Sequence, residues 1–170
     1  MKIVLSKIIF FIGIGALCLL LGVVYQQKIN PSTQNSSSIY SEVLIDSEGN
    51  KVHLSKFKGK WLILNFWATW CEPCREEIPE LNQFAKDNEN ISLIGIAVDS
   101  IEEVKEFQKD TPIEYLSLIS NMDGVRLSQS LGNNKGVLPF TAVINPLGDT
   151  IRSFYGKVKI HELNQSVTSQ

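Results

Sequence analysis

At 170 residues, 44% of them hydrophobic and 20% charged, the chain is long enough for one domain with a sizeable core and too short for two comfortable ones. The formal charge is −2 overall, and from Ile29 onward 18 acidic residues stand against 13 basic ones, leaving that part at −5. An acidic balance of this kind argues against a nucleic-acid partner.

The first element in chain order is apolar. Ile8 to Tyr25, IIFFIGIGALCLLLGVVY, runs eighteen residues without a charge, with Lys2 and Lys7 before it and Lys28 after it. As a helix it would reach about 27 Å at about 1.5 Å per residue, close to the hydrocarbon thickness of a bilayer. No convincing small-x-small cleavage site stands between Leu21 and Asn30, so residues 1–28 are expected to form an uncleaved signal-anchor, one N-terminal transmembrane helix. Two lysines before the span against one after it favour a cytoplasmic N-terminus and put everything after Lys28 outside. Cys18 raises a lipoprotein alternative, but Leu17 stands where that signal needs a small residue, and the cysteine reads as a small apolar member of the membrane helix. The segment NPSTQNSSS, Asn30 to Ser38, has no apolar residue and no periodicity; residues 29–38 are expected to be a flexible tether and 39–170 the domain.

Within the domain, Glu42 to Leu54 is two short apolar runs around a Ser-Glu-Gly-Asn turn, a hairpin signal. Trp61 to Trp67, WLILNFW, is a nearly continuous apolar strand of the kind buried on both faces of a helix-covered sheet. A helix is expected from about Pro73 to Asp87, with Ile78, Leu81, Phe84 and Ala85 at three- and four-residue spacing. Ile91 to Asp99 reads as a second buried strand. Ser100 with Glu103 makes a capping box ahead of IEEVKEFQ, and Thr111-Pro112 ends that helix. Tyr115 to Ile119 is a third strand, Asp123 to Leu131 a short helix closed by Gly132, and Phe140 to Asn145 with Thr150 to Gly156 an antiparallel hairpin around PLGD. A last short helix is expected over Ile160 to Thr168. Strands alternating with helices, then a hairpin and a helix, imply an α/β fold with a mixed sheet sandwiched between helices.

The chemistry concentrates in NFWATWCEPCREEIP, Asn65 to Pro79. Cys71 sits where strand becomes helix, where first-turn N–H groups and the helix dipole stabilise a thiolate. Pro73 suits that turn, since its missing N–H would have no helical partner. Cys74, three positions on, shares a helix face with Cys71 and is near enough to close a redox-active disulfide. Two thiols so placed allow a two-step exchange, in which Cys71 attacks a partner's disulfide and Cys74 resolves the mixed disulfide; a lone thiol would leave the partner trapped. A purely structural disulfide closing so small a ring gains little loop entropy. A zinc site would need four ligands, and the only other candidates, His53 and His161, read as surface residues. No metal and no bound cofactor are expected.

WATWCEPC, with Pro79 five residues after the second cysteine and LPFTAVINPLG downstream, resembles the membrane-anchored thioredoxin-fold proteins of the TlpA and ResA type over roughly Tyr40 to Gly156. That resemblance implies a thioredoxin-like sheet, a cis Leu138–Pro139 bond with Pro139 beside the cysteines, and Leu138 offering backbone to an extended substrate segment. It also implies that Trp70, Glu72 and Pro73 contribute to substrate binding. Cytoplasmic thioredoxin has a buried aspartate six residues before the first cysteine; Asn65 stands there here, so proton transfer must lie elsewhere. Glu77 matches a glutamate of the ResA type and shares a face with Cys74 at i, i+3, whereas Glu76 and Glu80 read as solvated helix surface.

The resemblance implies an extracytoplasmic thiol-disulfide oxidoreductase at the bacterial cell membrane, keeping protein disulfides such as those of apocytochrome c reduced with electrons from a membrane thiol-disulfide carrier. A copper-binding chaperone of the same fold is the alternative, weakened by the absence of any histidine between His53 and His161. Peroxide reduction would need a Pro-x-x-x-Thr-x-x-Cys setting that the residues before Cys71 do not supply. Glu72, Glu76 and Glu77 against Arg75 are expected to outweigh the helix dipole and make the couple reducing.

Overall fold

A computed structural model describes residues 36–168; the expected membrane anchor, Cys18 and most of the tether lie outside them. Among the described residues no helix is long and apolar enough to cross a membrane. A 3-10 turn over Ser36–Ser41 reaches into the segment read as tether, because Ile39 is buried in the core.

The strands are β1 (Val43–Asp46), β2 (Lys51–His53), β3 (Leu62–Trp67), β4 (Ser92–Ala97), β5 (Leu116–Ile119), β6 (Phe140–Ile144) and β7 (Thr150–Tyr155). The helices are α1 (Glu72–Asp87), α2 (Ile101–Asp110), α3 (Asn121–Ser130) and α4 (Ile160–Thr168). The strands make one mixed sheet in the order β2-β1-β5-β4-β3-β6-β7. β3, β4 and β5 run parallel, and every other pairing is antiparallel. This is the mixed sheet between helices that the alternation of elements implied, in the thioredoxin-like form that the resemblance implied.

All six residues of β3 are buried, as its unbroken apolar run requires of a central strand. Their alternation sorts them between two layers. Leu62, Leu64 and Phe66 join Ile94, Ile96 and Leu118 with Leu127 of α3 on one face. On the other face, Ile63, Leu93 and Val143 pack with Leu81 and Phe84 of α1 and Leu163 of α4, and nearer the end of the sheet Trp67, Ala97 and Ile119 pack with Cys71, Cys74, Ile78 and Val104. Each fully buried side chain of this size contributes about 1.5–3 kcal/mol, so α1 is fixed mainly by Ile78, Leu81 and Phe84.

The capping box forms as expected, Ser100 Oγ accepting from the Glu103 N–H and the Glu103 carboxylate accepting from the Ser100 N–H. α3 begins two residues before the expected Asp123, with Asn121 at φ +31°. Gly124 inside it lets the helix lie close on the sheet, since a Cβ there would stand 3.2 Å from Val98 Cγ2.

Candidate active site

Beyond β3 the chain turns through Ala68, Thr69 and Trp70 into α1, whose N-cap residue is Cys71. The turn is fastened to the end of β4. The Asp99 carboxylate accepts from the Thr69 N–H at 2.9 Å and from the Thr69 hydroxyl at 2.7 Å. Burial opposes ionisation of Asp99, but the hydrogen bonds it accepts from the Thr69 hydroxyl and from the Thr69 and Ser100 N–H groups favour the charged form, and the carboxyl lies below its usual value.

Cys71 and Cys74 form a disulfide with their Cα atoms 5.3 Å apart. Cys71 is 6% exposed and Cys74 0%, so of the two only Cys71 reaches solvent. Trp70, 69% exposed, stands immediately before it, and Glu72 and Pro73 are exposed on the first helical turn. Arg75 is drawn aside, its guanidinium 5.9 Å from the centre of the Phe107 ring.

Glu77 is not on the solvated surface: it is 1% exposed, turned from α1 onto the sheet. One carboxylate oxygen accepts from Asn65 Nδ2 at 2.7 Å and the other from the Val158 N–H at 3.0 Å. Asn65 Nδ2 also donates to Thr141 Oγ1 at 3.0 Å. Burial is the largest influence on Glu77, and it prevails over those two hydrogen bonds and the Lys157 charge to push the carboxyl up from 4.5 to about 7. Glu76 and Glu80 remain exposed, with Lys157 between them at 3.8 and 3.3 Å. The three carboxylates expected to act together on Cys71 are therefore three different things: Glu72 in solvent, Glu76 beside a lysine, and Glu77 buried and partly protonated near neutrality.

The Leu138–Pro139 bond is cis. Pro139 is buried, its carbonyl accepting from the Gly156 N–H at 2.9 Å, and Leu138 packs against the cluster that contains both cysteines. Sequence reasoning passed over Asn133, which holds the preceding loop: its Nδ2 donates to the Val137 carbonyl at 2.9 Å and its Oδ1 accepts from the Val137 N–H at 3.0 Å. It passed over Asp99 too. The signal in both cases is a short polar side chain at the edge of a turn, where it bonds backbone. His53 and His161 are exposed, and among the described residues no group of three or more His, Cys, Asp or Glu could hold a metal ion.

The pattern of the AhpC/TSA family matches residues 37–153. The chain is 32% identical over 126 residues to the thiol-disulfide oxidoreductase ResA of Bacillus thuringiensis subsp. konkukian, covering 72% of this chain and 70% of that one. It is 30% identical over 128 residues to the ResA of Bacillus subtilis, covering 74% and 69%. Among solved structures it is similar to a thioredoxin-related protein from Neisseria meningitidis serogroup B, with a TM-score of 0.67 at 30% identity, over 75% of this chain and 97% of that one.

Proposed function

The chain belongs to the AhpC/TSA family and is a thiol-disulfide oxidoreductase of the ResA type, and from that premise we propose that it reduces protein disulfides on the outer face of a bacterial cell membrane. The observation that carries this reading is the asymmetry of the two cysteines, Cys71 6% exposed and Cys74 fully covered, with the buried Glu77 three residues further along the same helix. In the reduced enzyme the Cys71 thiolate attacks a substrate disulfide, forming a Cys71–substrate bond and releasing one substrate thiolate, which takes a proton from water. Cys74 then gives its proton to Glu77 and attacks Cys71 Sγ, breaking the mixed disulfide and releasing the second thiolate, which is also protonated. Two electrons pass from the enzyme dithiol to the substrate, and the Cys71–Cys74 disulfide is the product. A membrane thiol-disulfide carrier returns it to the dithiol.

Trp70, Glu72 and Pro73 lie beside the open sulfur, and Leu138 and Pro139 shape the neighbouring backbone, a surface suited to an extended segment carrying cysteines, as in apocytochrome c. The N-terminal apolar segment would hold the domain at the membrane. A copper-chaperone role is not favoured by any observation at the site.

The test is capture. Cys74→Ser in the full chain should accumulate substrates disulfide-linked to Cys71, and Cys71→Ser should accumulate none. Capture by Cys71→Ser instead of Cys74→Ser would reverse the assignment, and captured proteins lacking cysteine pairs would remove the reductase reading.

A further inference from the structure

Between the end of α3 at Ser130 and the start of β6 at Phe140, nine residues, LGNNKGVLP, bring the chain to Leu138 and Pro139. The segment belongs to no helix or strand. Two of its residues are glycines in left-handed backbone, Gly132 at φ +108° and Gly136 at φ +61°, where conformational freedom is greatest. Its course is set largely by β7, the last strand of the sheet. The Tyr155 hydroxyl donates to the Gly132 carbonyl at 2.8 Å, the Gly156 N–H to the Pro139 carbonyl at 2.9 Å, and Ser153 Oγ to the Leu131 carbonyl at 3.4 Å. Two adjacent residues, Tyr155 and Gly156, thus pin the two ends of the segment.

The register of the sheet places Tyr155 for this. It stands opposite Phe140, and Phe140 opposite Phe66, so the three rings share one face at one level of the sheet. Ring centres are 5.9 Å apart for Phe66 and Phe140 and 5.3 Å for Phe140 and Tyr155. Phe66 and Phe140 are fully buried, which gives the Tyr155 ring a fixed support on one side while the residue as a whole is 57% exposed. A hydroxyl at such an exposed position can bond water instead, so its bond to Gly132 adds little to stability. What the bond sets is where the segment runs. Asn133 has the complementary part: buried, it closes the segment on Val137 and ties it to Ser128 of α3, while Tyr155 ties it to β7.

We propose that Tyr155 is a positioning residue for the docking of protein disulfides, its hydroxyl holding the segment 131–139 where Leu138 meets the stretch of substrate that carries the disulfide. This deepens the reductase reading above, on which it rests. Leu138 packs against the cluster that contains both cysteines, so a shift of the segment is felt beside Cys71. A protein substrate has to lie along Leu138 and Pro139 to bring its disulfide to Cys71, whereas a small disulfide reaches the sulfur without touching them. Releasing Gly132 therefore slows the first reaction and spares the second. Tyr155 stands two strands away from β3, and it acts through the segment, not on the reacting atoms.

The experiment uses the full chain in detergent micelles, reduced beforehand and freed of reductant, with insulin as the protein probe and hydroxyethyl disulfide as the small one. Tyr155→Phe keeps the ring on Phe140 and removes only the donor. It should lower the rate constant for insulin by about threefold or more and leave that for hydroxyethyl disulfide within about 1.5-fold of the wild type. Tyr155→Leu, which loses ring and hydroxyl together, should show the same selective loss. Equal slowing of both probes in Tyr155→Phe, or of neither, overturns the proposal. So does a selective loss in Tyr155→Leu alone, because it would assign the effect to the ring and not to the hydroxyl. A wild-type enzyme that does not reduce insulin overturns the reductase reading and this proposal with it, and that result is seen before any variant is compared.

Discussion

The Asn65 amide donates to the Glu77 carboxylate at 2.7 Å across the interface of β3 and α1, joining a neutral side chain in the middle of the sheet to a carboxyl buried against it. A second acid at position 65 would put two ionisable groups within hydrogen-bond reach. With Asn65 there, Glu77 has no acid as its hydrogen-bond neighbour, and its charge state follows burial.

That charge state has a stability consequence. The carboxyl of Glu77 rises from 4.5 to about 7 on folding, so between those values the folded protein holds more protons than the unfolded one. Stability is then fully present below about pH 4.5 and falls as pH rises towards 7, by about 3 kcal/mol for an interval of this width. Glu77→Gln should remove this slope and be the more stable protein at pH 8, since the Asn65 amide can turn over to offer its unpartnered Oδ1 to the new NH₂. Guanidinium unfolding of the disulfide form at a series of pH values measures it; parallel curves for the two proteins would contradict the titration.

Asp99→Ala should lower stability by about 1–3 kcal/mol, because it strands the half-buried Thr69 N–H and removes hydrogen bonds to a charged acceptor. The same change frees the turn that carries Trp70 and Cys71, so insulin reduction should slow several-fold. Unfolding and turnover of the same variant check both, and unaltered turnover would show that the turn holds its shape unaided.

Trp70→Ala should separate binding from folding. At 69% exposure the indole adds little to the core, so stability should change by less than about 0.5 kcal/mol. KM for insulin should rise several-fold with kcat little changed, which steady-state kinetics would show.

Gly95→Ala should destabilise by about 1–3 kcal/mol, because the new methyl would sit 3.0 Å from the Tyr115 ring and 3.1 Å from the Trp67 indole, and both rings are buried. A urea titration, with Trp67 fluorescence reporting the displaced indole, decides it.

The sequence carried the elements well because their signals are local: an apolar run for β3, three- and four-residue spacing for α1, a capping box for α2. The Cys71–Cys74 pairing was legible for the same reason, since three-residue spacing on one helix is readable without a fold, whereas Glu77 was singled out by the resemblance, with which its spacing agrees. What it could not carry depends on register. Asn65, Gly95, Ser117 and Thr141 are scattered over four strands and become one rung only when the strands are paired. The different surroundings of Glu72, Glu76 and Glu77 were likewise out of reach, because Lys157, which stands between Glu76 and Glu80, lies some eighty residues on. Charge counted along a helix says nothing of which carboxyl turns inward.

The fastening of α1 bears on how the enzyme cycles. Its entry is tied to β4 through Thr69 and Asp99, and its inner face to β3 and to Val158 through Glu77, with Ile78, Leu81 and Phe84 packed beneath. None of these contacts passes through the sulfur atoms. Opening the Cys71–Cys74 bond removes none of these fastenings, so the position of the helix on the sheet is set independently of the disulfide that closes over its first turn.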